Sequence, residues 1–173
     1  MKLILLLALL QVPVISKFLT YREVTQSVHA ASMTSANAPD SRQLFLIQVF
    51  GKEYFDPLRV RVGSPLYVSS LFRSKEVNRA VGGAKNSEHQ ITDDVVAVDI
   101  DQDGRGKVVN RALFFIIKDE TNFRKLIWEF GTPMSPSWVH VSWSPDQTKN
   151  IKKVYRATRI GNRVTYTHFD QIP

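Results

Sequence analysis

The sequence predicts a single α+β domain: a central antiparallel or mixed sheet with helices packed on one side. Three observations carry that reading. Short apolar runs of strand length recur along the chain, among them VVAVDI and WVHVSW. Two intervening stretches, SKEVNRAV and VVNRALFFIIKD, have helix signals instead. The chain has 173 residues, 43% hydrophobic and 23% charged, which suits one ordinary globular domain with its own core.

The elements follow in order. MKLILLLALLQVPVIS has one early lysine and a mostly apolar run from Leu3 to Ile15. Its length suits a secretory signal core and is short for a bilayer span, so no stable membrane span is expected. Small residues compatible with cleavage stand at Ser16 and Ala30. Residues 1–16 are therefore expected to be a signal peptide or hydrophobic N-terminal segment. Residues 17–42, ending in ASMTSANAPDSR, are polar and weakly periodic and predict a linker. The folded domain is placed at 43–173. Within it, LFLIQVF (Leu44–Phe50) and PLYVSS (Pro65–Ser70) predict strands. Ser74 caps a short helix that Gly82-Gly83 stops. Val95–Ile100 predicts a buried strand, and Val108–Asp119 a helix with Leu113, Ile116 and Ile117 on one face. Lys125–Phe130 and Trp138–Trp143 predict strands, and the chain closes with a hairpin around Gly161-Asn162.

Strand alternation exposes two anomalies. His140 shares a face with Trp138 and Ser142, opposite Val139 and Val141. Asp99 shares a face with Ala97 and Val95. Burying either group unpaired costs several kcal/mol, so each is partnered or lines a site.

The run DIDQDG invites a calcium reading. Asp99, Asp101, Asp103 and Gly104 satisfy the opening of an EF-hand loop, but the closing glutamate position holds Asn110, and a strand stands where the entering helix belongs. A polar turn leaving a strand explains Asp101 and Asp103 better. A catalytic zinc site needs three protein ligands and an open position, and His89, Asp99 and His140 offer two imidazoles and a carboxylate. The chain has no cysteine, which excludes disulfides, thiolate metal sites and cysteine nucleophiles.

The surroundings of these residues carry a resemblance. SSLFRSKEVNRAVGGAKNSEHQ, then AVDID, then LIWEFGTPMSPSWVHVSW, in that order, resemble the zinc D-alanyl-D-alanine carboxypeptidase family, and more closely its peptidase M-fifteen-A C-terminal domain branch, common in phages and bacteria. The resemblance spans roughly Pro57 to Tyr166. It implies one zinc ion held by His89 in SEH, Asp99 in AVD and His140 in WVH, in a cleft on the sheet. It implies that Arg73 in FRS holds or polarises the substrate peptide and that Ser87 lines the substrate site. Relatives outside this branch carry an acidic residue three positions before the last His, here Ser137; within the branch the IWEFG block supplies a glutamate, here Glu129, as general base.

Two departures stand out. His89 and Asp99 are ten positions apart, further than in the family, with QITDDVV between them, so Asp93, Asp94 or Asp101 could reach the metal instead. Leu71 stands where the family has glycine, which would narrow the cleft. The implied activity is zinc-dependent cleavage of peptidoglycan peptides, as carboxypeptidase or endopeptidase. The expected location is secreted, periplasmic or wall-associated if the N-terminal signal is real, and phage lysis or virion-associated otherwise.

Net charge is +7, and Lys149 to Pro173 holds six Lys/Arg against one Asp. Such an end favours polyanions, including an anionic wall polymer. Two other classes stay open: a family fold that has lost catalysis and binds wall or virion components, and a nucleic-acid binder using the basic hairpin with Tyr155 and Tyr166. A secreted protein seldom meets nucleic acid, so no nucleic-acid partner is expected.

Overall fold

A computed structural model describes residues 12–27, 37–105, 107–161 and 163–169 of the chain. The elements are α1 (Tyr21–Thr25), α2 (Ser41–Phe50), a π-helical turn (Gly51–Phe55), α3 (Asp56–Val62), β1 (Val68–Ser70), α4 (Lys75–Ala80), β2 (Val96–Ile100), α5 (Asn110–Glu120), β3 (Lys125–Glu129), β4 (Trp138–Trp143), β5 (Lys153–Ile160) and β6 (Arg163–His168). Six strands form one mixed sheet in the order β1-β2-β4-β3-β5-β6. Every neighbouring pair is antiparallel except β3 and β5, which run parallel. The predicted α+β fold is therefore present.

Alternation along the central strands sorts the sheet into two faces. Val96, Val98 and Ile100 of β2, Val139, Val141 and Trp143 of β4, and Leu126 and Trp128 of β3 join the helices in one apolar core. From α2 through α3 the helical path contributes Leu46, Ile47, Phe50, Tyr54, Phe55, Leu58 and Val62, and α5 contributes Leu113, Phe114 and Ile117. The rings of Phe50 and Tyr54 lie 6.2 and 6.0 Å from Trp143. This leaves Asp99, His140 and Glu129 on the opposite face of the same strands.

One strand expectation is corrected. LFLIQVF is helix α2, and the helical path continues without a break to Val62. An unbroken apolar run has no period to distinguish strand from helix. The deciding signal is local: Asp40 accepts from Gln43 N at 2.8 Å, and Gln43 Oε1 accepts from Asp40 N at 2.9 Å, a capping box that starts a helix. The expected linker over 17–42 is corrected at its described residues, 17–27 and 37–42. Ile15, Leu19 and Val24 are buried in the core. Asp56 accepts from Ser16 Oγ, Lys17 N and Phe18 N, and buried Asn37 donates to the carbonyls of Thr25 and Phe72. The folded unit thus begins before Gln43, because those apolar side chains complete the helical side of the core. Residues 1–11 of the apolar leader, and Ala30, lie outside the described residues. Among the described residues no helix is long and apolar enough to cross a membrane.

The aspartates of DIDQDG have a structural use. Asp101 Oδ1 accepts from Asn110 Nδ2 at 3.0 Å, and Asp103 Oδ1 accepts from Asn110 N at 2.9 Å. Buried Asn110 also donates to the carbonyls of Pro136 and Ser137. The turn after β2 thereby fixes the start of α5 and the entry to β4.

Candidate metal centre

Asp99 on β2 lies directly across from His140 on β4, in a row that continues through Ile127 on β3 to Tyr155 on β5. His89 comes from outside the sheet, on the 3-10 turn Glu88–Gln90. That turn is fixed by its neighbours. Ile91 closes it in the left-handed region at φ 54° with its side chain buried, and Arg73 N donates to the His89 carbonyl at 3.0 Å. The three side chains are brought together: His140 Nδ1 is 2.8 Å from Asp99 Oδ1, and His89 Nε2 is 3.3 Å from Asp99 Oδ2. Their ligand atoms all lie within 4.8 Å of one another, and all three residues are buried. Among the described residues this is the one such group.

The electrostatics of the group are those of a cation site. Burial works to raise the Asp99 pKa, but the charge of His89 and the hydrogen bonds of both imidazoles outweigh it and hold the carboxyl far below the usual range. Burial lowers the His89 pKa. It opposes protonation of His140 too, yet the hydrogen bond to Asp99 and the nearby Glu88 carboxylate win and push that imidazole up to about 9. His89 Nδ1–H donates to the Leu71 carbonyl at 2.7 Å, so Nε2 is the ring nitrogen turned towards Asp99 and the metal group. Two imidazoles and a carboxylate, buried and convergent, are a donor set that suits zinc.

The sequence-predicted residues share one cavity of about 550 Å³, lined by Arg73, Ser87, His89, Asp99, Glu129 and His140 among others. That size is typical of a small-ligand site. Arg73 donates to Asp99 Oδ2 at 2.7 Å and to Ser70 Oγ at 2.8 Å. Glu129 ends β3 two positions beyond Ile127, on the His140 face, and is only 7% exposed. Burial is the main cause that pushes its pKa up to about 7, and the Asp99 charge adds to it. Ser137 N donates to the Glu129 carbonyl at 2.9 Å, so positions 129 and 137 are neighbours across the β3–β4 junction.

The structure settles both departures noted in the sequence. Leu71 is fully buried in the apolar core, so it leaves the cleft open and offers its carbonyl to His89. Asp93, Asp94 and Asp101 do not join the metal group. Asp94 pairs with Arg42 at 2.5 Å, the Asp93 carbonyl accepts from Lys149, and Asp101 serves Asn110.

Sequence reasoning missed several cavity residues. Glu88 sits beside His89 and lines the cavity with Lys125, and Lys125 Nζ and Arg124 Nε each lie 3.0 Å from Glu88 Oε1. The closing hairpin supplies Tyr155, Arg159, Val164 and Tyr166 to the far wall. Arg159 stacks over the Phe130 ring at 5.2 Å, and Phe130 packs edge-on against Trp138 at 5.3 Å. Phe130 and Gly131 both take left-handed φ, 52° and 69°, and a Cβ at Gly131 would lie 2.2 Å from the Ser135 carbonyl oxygen. Only glycine fits that tight exit from β3. No local pattern marks the Glu88–Lys125 pair or Arg159 over Phe130, because each joins residues distant in the chain.

A family model described as Peptidase M15 matches residues 17–142. The chain belongs to the Peptidase M15 family. No curated protein matches it. M15 proteins are zinc-dependent peptidases, and the chain brings to that family a His-Asp-His group able to hold the metal. The matched stretch contains all six predicted site residues but ends before the hairpin β5–β6. The far wall of the cavity is therefore built by a part of the chain beyond the M15 match.

Proposed function

We propose that this M15 protein is a zinc peptidase that cleaves peptidoglycan peptides, as a D,D-carboxypeptidase or endopeptidase, with one zinc ion held by His89, Asp99 and His140. The observation that carries the reading is the pair of cavity glutamates, whose environments push their acidities apart. Burial works to raise the Glu88 pKa, but the neighbouring His140 imidazole and the Lys125 charge hold it well below the usual range, so Glu88 stays ionised and is a poor base. Glu129 lies near 7, where a general base is most effective. Zinc held by His89, Asp99 and His140 would supply a Lewis acid for a water and for a substrate carbonyl. Glu129 would be the group that accepts the proton of the attacking water and delivers it to the leaving amine. Arg73, oriented by Ser70 and Asp99, directs positive hydrogen-bond donors into the cavity for a substrate carbonyl or carboxylate. Ser87 lines the wall that the peptide passes.

The apolar leader supports a secreted, periplasmic or wall-associated location, and the basic hairpin with Arg159 supports contact with anionic wall polymer. The test is digestion of purified peptidoglycan, and of stem peptides ending in D-alanyl-D-alanine, by the zinc-loaded protein. Release of a terminal residue identifies a carboxypeptidase, and loss of cross-links an endopeptidase. A chelator should abolish either and zinc should restore it. No cleavage of any of these by protein that holds zinc would contradict the proposal and favour a wall- or virion-binding protein on the family fold.

A further inference from the structure

Glu88 adjoins the metal group from the side away from Asp99. Its Oε1 is fixed at 3.0 Å from both Arg124 Nε and Lys125 Nζ. Its Oε2 is buried, has no hydrogen-bond partner, and lies 3.9 Å from His140 Nε2. His140 is thus bracketed by two carboxylates: Asp99 at Nδ1 and Glu88 at Nε2. His89 has a different arrangement, with Nδ1–H on the Leu71 carbonyl and Nε2 towards Asp99.

A metal takes the unprotonated nitrogen of an imidazole, and the other nitrogen then needs an acceptor for its proton. For His89 that acceptor is the Leu71 carbonyl. For His140 no backbone carbonyl among the described residues fills the role. We propose that Glu88 fills it: its Oε2 accepts the His140 Nε2–H, so that Nδ1 is the nitrogen presented to the metal beside Asp99. A small closure brings 3.9 Å to hydrogen-bond length and removes the buried unpartnered oxygen at the same time. Lys125 and Arg124 hold the carboxylate in place from its other oxygen. Glu88 is therefore a positioning residue, and SEH supplies both a candidate ligand and the orienting group for the distant one. The inference rests on the zinc reading above.

The test compares zinc affinity, by competition with a chromophoric chelator, in wild type, Glu88→Ala, Glu88→Gln and Lys125→Met. Nitrogen-15 spectra of the histidine rings in zinc-loaded wild type and Glu88→Ala accompany it. Loss of an outer carboxylate of this kind weakens metal binding by about 10- to 100-fold, which is the drop expected for Glu88→Ala. Glu88→Gln keeps an acceptor oxygen and should recover most of that affinity, and Lys125→Met should fall between the two. The spectra should show His140 protonated at Nε2 and metal-bound at Nδ1, with the Nε2 proton exchanging faster in Glu88→Ala. Unchanged affinity in Glu88→Ala, or metal on His140 Nε2, would overturn the proposal. If Glu88→Ala does not fold, the wild-type spectrum and the Glu88→Gln affinity still decide. Wild type that holds no zinc would instead defeat the zinc reading itself.

Discussion

Glu129→Gln is expected to lower kcat by about 10²- to 10⁴-fold while leaving zinc content unchanged, because it removes the proton acceptor and no candidate ligand. The same variant should stabilise the metal-free protein, and the gain should depend on pH. The folded pKa of Glu129 is raised from 4.5 to about 7. Between those values the folded state binds more protons than the unfolded one, so wild-type stability falls as pH rises through that window. Above it the cost of ionising the buried carboxyl is fully present, up to about 3 kcal/mol. Glutamine cannot ionise and avoids that cost. Urea unfolding in chelator should therefore show Glu129→Gln more stable than wild type at pH 8 and equal to it at pH 4. Equal stability at pH 8 would mean that Glu129 ionises without strain, and wild-type turnover would move the base to another group, with Glu88 the nearest rival in the cavity.

Asp99→Ala should abolish zinc binding and also destabilise the metal-free fold by about 3 kcal/mol, the lower end of the range for breaking a buried ion pair. Asp99 answers Arg73 at 2.7 Å, His140 at 2.8 Å and His89 at 3.3 Å, so its loss leaves buried cations without a counter-charge. The pH window follows from two opposite shifts. The Asp99 pKa is depressed, so its contribution is fully present above the ordinary value of 3.8 and is lost as pH falls below it. The His140 pKa is raised from 6.5 to about 9, so that contribution is full below 6.5 and fades as pH rises through 9. The gap between wild type and variant should be widest between these limits and should narrow on both sides. Thermal or urea unfolding across pH 3 to 10 in chelator checks it; a gap that does not vary with pH would show that packing, not charge, accounts for the loss.

Much of this site was legible because strand alternation is a strong local signal. WVHVSW coincides with β4 residue for residue, and its period of two places His140 away from the core. The same rule places Asp99 on β2. The ordered blocks from FRS to WVH then gather Arg73, Ser87, His89, Asp99, Glu129 and His140 in one cavity. Failures came where the local signal is silent or divided. LFLIQVF has no period, and its Asp40–Gln43 cap decided the outcome. Leu71 was judged by its size, but its direction depends on a chain path that the substitution does not encode. Glu88 gave no sign of its role, since its partners Arg124, Lys125 and His140 lie more than thirty positions away in sequence.

The central claim is that His89, Asp99 and His140 hold one zinc ion. Metal analysis of purified wild type beside His140→Ala, both supplied with zinc and then freed of excess, tests it most directly. The account predicts one zinc per chain in wild type and loss of that zinc in the variant. Wild type without zinc, or a variant that retains it, would contradict the claim.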